Sequence, residues 1–275
     1  MNTTEDMNTR LTKEDQAIIK EARGNKCSGP IYSEDGLRLL KVLGNPEYLE
    51  VKDGVKAICD DACQGLDNLH EVVLPASVTD LGTRAFASCI KLFKITMPGV
   101  DFIGIESFAH CENLKEIALP ETLGKIWEGA FAGCKALEEI NIPSHLKIID
   151  KSAFRNSGLK SLNIVISDDC KCCIYDKAFA SCKHLESVYL NKNVKIVERM
   201  AFADCTSLKT IEFEQPSLTC CAGEINATML IGCTSLEKII VPKNKYNNYP
   251  DFNIQGFESA QFETRDFNSL ITPKE

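Results

Sequence analysis

The sequence lacks any apolar segment long enough to cross a membrane, and it lacks an excess of positive charge. No run of about 18 apolar residues occurs in the 275-residue chain, which excludes a membrane-spanning helix. The 31 basic residues are outnumbered by 39 acidic ones, so the net charge is −8 and the isoelectric point is near 5.2. This balance argues against nucleic acid and against an anionic membrane surface as partners, because both need clustered positive charge.

The N-terminal segment lacks the apolar core of a secretory leader. Residues 1–24 contain no apolar stretch of about 7–15 residues. This absence predicts a cytoplasmic protein. If the numbering begins after a removed leader, the location is the cell surface or the exterior instead.

The sequence also lacks the common catalytic motifs. Neither a Gly-x-Ser-x-Gly elbow, a P-loop, an H-E-x-x-H helix nor a G-x-G-x-x-G turn occurs. The histidines do not converge on one register of the repeat described below; they are His70, His110, His145 and His184. We therefore expect no enzymatic activity and no cofactor.

A repeat of about 23 residues occupies most of the chain. Its phenylalanine anchors are Phe86, Phe108, Phe131, Phe154, Phe179 and Phe202. A cysteine follows three residues later in most units, as Cys89, Cys111, Cys134, Cys182, Cys205 and Cys233. A leucine, an alternating apolar pair, often a proline, and a second apolar pair such as Leu123 and Ile126 complete the unit. The consensus is A-F-x-x-C-x-x-L-x-x-I-x-L-P-x-x-L-x-x-I.

The spacing within the repeat predicts its structure. The segment ending in I-x-L alternates with period two, which favours a short strand with one buried face. The A-F-x-x-C segment favours a tight helical turn whose Phe and Cys point inward. Such a unit cannot bury its apolar side chains alone, so neighbouring units must stack. The pattern therefore predicts an α/β-type repeat solenoid with a parallel sheet of short strands.

The segments at either end of the repeats predict caps. Thr12 and Asp15 have the spacing of a capping box, which predicts a helix over about 13–23 that stops at Gly24. Residues 31–40 carry an Asp-Gly turn between apolar runs, which predicts a β-hairpin over the first repeat. Beyond Pro242 an aromatic-rich tail is expected to cover the last core rather than to form a ligand site; its aromatics are Tyr246, Tyr249, Phe252, Phe257, Phe262 and Phe267.

The predicted organisation has four parts. A polar segment with a short helix comes first, a hairpin cap follows, about eight repeats form the solenoid, and a C-terminal cap or tail ends the chain. Their bounds are 1–30, 31–57, 58–245 and 246–275.

These units resemble the leucine-rich repeats of the BspA-like family. The resemblance is carried by residues 85–103, 107–126, 130–149 and 178–197, and it extends over about 31–245. The resemblance implies a leucine-rich repeat stack. It also implies a non-enzymatic surface or adhesion role, found in bacteria and in some protists and commonly exerted through protein binding. It is specific for the fold and says less about the partner.

Residues between the buried positions of each strand are expected to face outward in columns. A stacked sheet face of this kind suits another protein as partner, although a merely solvated face is the alternative. The candidate partner-binding residues are Lys94, Thr96, Glu116, Ala118, Glu139, Asn141, Ser161, Asn163, Ser187, Tyr189, Thr210 and Glu212. Lys94 beside Glu116 predicts a cross-strand ion pair. We expect a monomer that inserts into no membrane.

Eleven of the 14 cysteines fall into two groups. Those in the repeat register are predicted to be buried thiols, because parallel side chains rarely meet the geometry of a disulfide. A second group lies in two irregular repeats, at Cys170, Cys172 and Cys173 and at Cys220 and Cys221. Their C-x-C-C spacing is not that of a structural zinc site. A metal- or redox-responsive protein that uses these loop thiols is nevertheless the alternative function, beside accidental thiols or a cross-loop disulfide.

Overall fold

A computed structural model describes residues 9–214, 227–242 and 261–265. Within them the chain forms one α-helix, α1 (Lys13–Gly24), a 3-10 turn (Ala227–Leu230) and eighteen strands. The strands are β1 (Gly29–Tyr32), β2 (Arg38–Leu43), β3 (Tyr48–Glu50), β4 (Ala57–Ile58), β5 (Glu71–Val73), β6 (Asp80–Leu81), β7 (Lys94–Thr96), β8 (Phe102–Ile103), β9 (Glu116–Ile117), β10 (Lys125–Ile126), β11 (Ile148–Ile149), β12 (Ser161–Ile164), β13 (Cys172–Ile174), β14 (Ser187–Leu190), β15 (Val194–Val197), β16 (Thr210–Phe213), β17 (Lys238–Pro242) and β18 (Gln261–Arg265).

The strands form a parallel solenoid, as the repeat predicts, but they form three sheets instead of one. A nine-stranded sheet has the order β1-β2-β4-β6-β8-β10-β11-β13-β15, and only its β1/β2 pair is antiparallel. Apart from β1 and β2, its strands contain the last apolar position of each repeat, as Ile126 in β10 shows. The I-x-L strands form a four-stranded sheet, β3-β5-β7-β9, and a five-stranded sheet, β12-β14-β16-β17-β18. Most repeats therefore contribute strands to both sides of the stack, although no strand forms over residues 138–143.

The core between these sheets contains a column of phenylalanine rings. The six anchors, from Phe86 to Phe202, are fully buried, and each ring stacks on the next. Ring centroids are 5.2–5.6 Å apart, and the planes differ by 1–9°. Because each ring completes the packing of its neighbours, a coil without an adjacent coil would expose its apolar side.

The A-F-x-x-C segments are tight turns and not the helical turns that the sequence predicts. The Cys89 N–H donates to the carbonyl of Phe86 at 3.2 Å, whereas the Phe86 N–H donates to Ser107 of the next coil at 2.8 Å. The reason is backbone conformation. Glu106 and His110 have positive φ values of 54° and 60°, and the equivalent residues of the other coils repeat this feature. A left-handed residue interrupts a right-handed helix and turns the N–H groups toward the adjacent coil.

The N-terminal elements lie at one end of the stack. Thr12 and Asp15 form a capping box at the start of α1. An ion pair of 2.9 Å between Arg38 and Asp15 ties this helix to β2. Gly36 adopts a φ of 72° in the turn between β1 and β2, a conformation that glycine tolerates without strain. Strand β3 pairs in parallel with β5, so the stack already includes part of segment 31–57.

At the other end, β18 pairs in parallel with β17. Phe262 lies in β18, whereas the other aromatics of the expected C-terminal cap lie outside the described residues, as do Cys220 and Cys221. In the part of the chain that the structure describes, no helix has the length and apolar character needed to span a bilayer.

Candidate interaction surface

The outward side chains of the four-stranded and five-stranded sheets form a surface that we call the strand face. Strand β12 shows how it arises. Leu162 and Ile164 point into the core and are at most 3% exposed, whereas Ser161 and Asn163 between them are exposed. This alternation is the pleat of a strand with one buried side.

Nine of the twelve sequence-predicted residues lie at outward positions of these strands, whereas Ala118 follows β9 and Glu139 and Asn141 lie in the segment between the two sheets. None of them is buried. The exposed ones are Thr96, Glu116, Ala118, Glu139, Asn141, Ser161, Asn163 and Ser187, and the half-exposed ones are Lys94, Tyr189, Thr210 and Glu212. The structure thus brings them onto one surface, and whether a partner binds there is taken up below.

The five-stranded part of the strand face carries hydroxyl and amide groups in register. Ser161 lies opposite Ser187, which lies opposite Thr210. In the next column Asn163 lies opposite Tyr189, whose hydroxyl is 3.3 Å from a carboxylate oxygen of Glu214. Across β12, β14 and β16 the outward side chains are neutral apart from Glu212, with the aromatic Tyr189 in the middle. On β17, Lys238 adds a positive charge that pairs with Glu263 at 2.8 Å.

The four-stranded part is acidic. The Lys94 ammonium lies 3.4 Å from the carboxylate of Glu71 and 3.9 Å from that of Glu116, which confirms the predicted cross-strand pair. Glu50 and Glu139 add two further exposed carboxylates. Exposed ion pairs of this kind contribute little to stability, so these charges mainly define the electrostatic character of the surface.

The strand face is interrupted between its two sheets, which the sequence analysis does not predict. No strand forms over residues 138–143. The side chain of Asn141 takes over part of the backbone pairing. Its Oδ1 accepts from the Leu119 N–H at 2.9 Å, and its Nδ2 donates to the Leu119 carbonyl at 2.8 Å.

One sequence signal lies next to this interruption. The spacing from Phe154 to Leu159 is one residue shorter than in the other units. At this point Gly158 approaches the preceding coil so closely that a Cβ would collide with the carbonyl oxygen of Lys135. The deletion therefore needs glycine there, but nothing in the sequence distinguishes the failed strand at Ile140–Ile142 from its neighbours.

The loop cysteines do not assemble a metal site in the described residues. Cys172 is buried in β13, and burial raises its pKa to about 12. Cys173 is half-buried, and desolvation likewise raises its pKa. Across residues 9–214, 227–242 and 261–265, no group of three or more His, Cys, Asp or Glu side chains is arranged to hold a metal ion.

The repeat-register cysteines are buried free thiols, as predicted. Each Sγ lies near a backbone carbonyl of the preceding coil, for example 3.1 Å from Cys111 to Phe86 and 3.2 Å from Cys134 to Phe108. Burial raises the pKa of Cys89 to about 12 and that of Cys111 well above its ordinary value. Thiols held in this way are poor nucleophiles.

A family comparison identifies the repeat. Residues 44–160 and 159–272 match the family described as "BspA type Leucine rich repeat region", with six copies. The chain belongs to the BspA-type leucine-rich repeat family. The match spans more than four-fifths of this BspA-type protein and includes both parts of the strand face. No curated protein matches the sequence significantly.

Several solved structures are similar to this BspA-type chain. A leucine-rich cell surface protein from Faecalibacterium prausnitzii is 18% identical, with a TM-score of 0.47, 78% of this chain covered and 80% of the other. A leucine-rich repeat protein of T. pallidum is 24% identical, with a TM-score of 0.44 and coverages of 68% and 83%. The pneumococcal vaccine antigen PcpA is 16% identical, with a TM-score of 0.42 and coverages of 87% and 83%.

Proposed function

We propose that this BspA-type protein is a non-enzymatic, protein-binding scaffold of the adhesion or interaction type, and that it binds through the strand face. One observation carries the proposal. The outward positions keep a constant register from strand to strand while their side chains vary in chemistry, from glutamate through serine and asparagine to tyrosine. A rigid stack that displays varied side chains suits recognition of another protein.

The rigidity beneath this face supports the proposal. The side chains of Leu162 and Val188 are buried directly under it and anchor the strands to the phenylalanine column. Binding then costs little ordering of the surface, because the backbone is already fixed. Tyr189 supplies a rigid aromatic contact of the type that is enriched at binding hot spots.

The place of action that we propose is the cell surface, in preference to the cytoplasmic location expected from the N-terminal segment. Membership of the BspA-type family supports this choice, because that family implies a surface or adhesion role. Protease treatment of intact cells tests it. We expect the protein to be degraded while a cytoplasmic marker survives, and equal survival of both would contradict a surface location.

Affinity capture with site-specific variants tests the binding proposal. The bait is the folded chain, and captured proteins are identified by mass spectrometry. Tyr189→Lys and Glu139→Lys are expected to remove a specific captured protein, because they alter the size and charge of strand-face contacts. Glu128→Lys is the matched control, since Glu128 is exposed but follows β10 in the nine-stranded sheet. An identical captured set for all three variants and the wild type would refute binding through this face.

A further inference from the structure

The inward side chains of the strand face are buried everywhere except at one place. Among the described side chains of β3, β5, β7, β12, β14, β16 and β17, these positions are at most 3% exposed, as at Val72, Ile95, Leu162, Val188 and Ile211. Ile117, Ile140 and Ile142 are instead only partly buried against the core. These three side chains define what we call the isoleucine opening.

The missing strand over residues 138–143 explains this opening. Backbone pairing holds side chains of a strand in alternation, and without it Ile140 and Ile142 are not drawn fully inward. One of the three isoleucines, Ile117, also lines a hollow of about 490 Å³, together with Glu116 and Ala118. It is a shallow apolar depression in a surface that is otherwise polar.

Two carboxylates adjoin these isoleucines along the chain, Glu116 before Ile117 and Glu139 before Ile140, and Glu116 also lines the hollow. Glu116 is exposed, and its contact with Lys94 is the longer of the two that this lysine makes, at 3.9 Å against 3.4 Å to Glu71. Glu139 is exposed and forms no ion pair with any residue in the described ranges. Apolar floor and negative rim together match a side chain that has an aliphatic stem and a cationic end.

We propose that the isoleucine opening receives an arginine or lysine side chain from an extended, basic segment of the partner protein. The aliphatic stem lies over Ile117, Ile140 and Ile142, and the cationic group lies between Glu116 and Glu139. This inference rests on the proposed protein-binding function, for which it supplies the chemistry of the partner. Lysine and arginine commonly bury their stems on apolar surface while the charge stays at the edge.

A basic occupant fits better than a purely apolar one. An apolar side chain would cover the floor but would also remove water from Glu116 and Glu139 without replacing it, and such desolvation of a charge is costly. The remaining outward charges on this part of the face are Glu50, Glu71 and Lys94, which leaves the surface acidic. An acidic patch also speeds the approach of a basic segment, because complementary charge steers association.

Methyl NMR of the full chain with labelled isoleucine tests this assignment. The probe is a five-residue peptide with acetylated and amidated ends, glycine at the odd positions and arginine at positions two and four. Two matched peptides carry norleucine or glutamate in place of arginine. We expect saturable shifts of the Ile117, Ile140 and Ile142 methyl signals with the arginine peptide only, and weaker binding as salt is raised.

Carboxamide variants locate the charge requirement. The double variant Glu116→Gln with Glu139→Gln is expected to weaken binding of the arginine peptide about tenfold, since each exposed ion pair between arginine and glutamate contributes modestly to the binding free energy. Glu128→Gln with Glu186→Gln is the control, because it removes the same charge from positions outside the strand columns. If the methyl signals of the variants without peptide keep their chemical shifts, the fold is intact.

The outcomes separate this inference from the function on which it rests. Three results would overturn the proposal of a basic occupant. They are equal binding of the norleucine peptide, no saturable shift at the three isoleucines, and equal weakening of binding by the control pair of variants. If capture by the strand face then still depends on Tyr189, the protein-binding function stands without it. If the arginine peptide binds as expected but no capture depends on the face, the opening binds basic side chains and the scaffold function is wrong.

Discussion

At the residue scale, the repeat-register cysteines show that a thiol offers more than a small apolar group would at the same position. The carbonyl of Phe86 accepts the Cys89 N–H of its own coil and also lies 3.1 Å from the Cys111 Sγ of the next. A thiol is small and largely apolar, yet it retains a weak donor for this second contact. Ser157 keeps a donor at the same register, where its Oγ lies 3.3 Å from the Cys182 Sγ.

Thiol alkylation tests the burial of these cysteines. At pH 8 we expect iodoacetamide to label exposed Cys27 and to leave Cys89 and Cys111 unmodified until urea is added. Burial disfavours the thiolate and so raises the pKa of both thiols, to about 12 for Cys89. Raising the pH to 10 should therefore not bring labelling of Cys89 and Cys111 under native conditions, as measured by mass spectrometry. Native labelling of Cys111 at a rate similar to Cys27 would contradict this account.

A second test at this scale removes one ring of the phenylalanine column. Phe131→Ala should lower the free energy of unfolding by about 3–5 kcal/mol, because it leaves a cavity between Phe108 and Phe154. Phe93→Ala is the matched control, since Phe93 is 42% exposed. Urea unfolding measures both, and similar losses for the two variants would show that the column is not the main source of stability.

At the scale of the element, the strands follow from the alternation of apolar and polar residues, whereas the missing strand over residues 138–143 does not. The sequence predicts a strand at Ile140–Ile142 for the same reason as at Leu162–Ile164, because both read apolar, asparagine, apolar. The difference lies in the pairing with neighbouring coils, which is a property of the stack and not of the local sequence. Local spacing likewise predicts a helical turn at A-F-x-x-C. In the stack, left-handed residues interrupt that turn and its N–H groups bond to the next coil.

The two asparagines provide a matched test of this difference. Asn141→Ala removes both bonds to the backbone of Leu119, so we expect a loss of about 1–3 kcal/mol and faster amide exchange at Leu119. Asn163→Ala changes an exposed position of regular strand β12 and should leave the free energy of unfolding within about 0.5 kcal/mol of the wild type. Hydrogen exchange with urea unfolding measures both effects, and unchanged protection at Leu119 in the first variant would contradict the bridging role.

At the scale of the whole molecule, most of the architecture and nine of the twelve outward positions could be predicted from the sequence, because a repeat fixes direction and register together. The existence of three sheets could not be predicted. The strands of the nine-stranded sheet are as short as Lys125–Ile126, and two residues are too few to show an alternating pattern. The isoleucine opening could not be predicted either, because it depends on how two coils fit against each other. The site that we propose for a basic side chain therefore lies where the repeat is irregular.

Deletion of one coil tests this nearest-neighbour architecture. Removing residues 109–131 joins Phe108 to Ala132 and preserves the A-F-x-x-C register. We expect a shorter folded protein, because each coil contacts mainly its neighbours. Removing only residues 109–120 breaks the register and should prevent cooperative unfolding. Circular dichroism and urea unfolding compare the two, and equal loss of structure would show that the stack depends on contacts between distant coils.

The near-constant step of the phenylalanine column gives the protein a built-in ruler. Since successive rings are separated by 5.2–5.6 Å, gain or loss of a coil by gene recombination changes the reach of the molecule by a fixed increment. The number of coils between two contact points on the strand face thus sets their separation, and neither contact point has to change. Evolution of such a chain toward a longer or shorter ligand needs only copying errors of the right period.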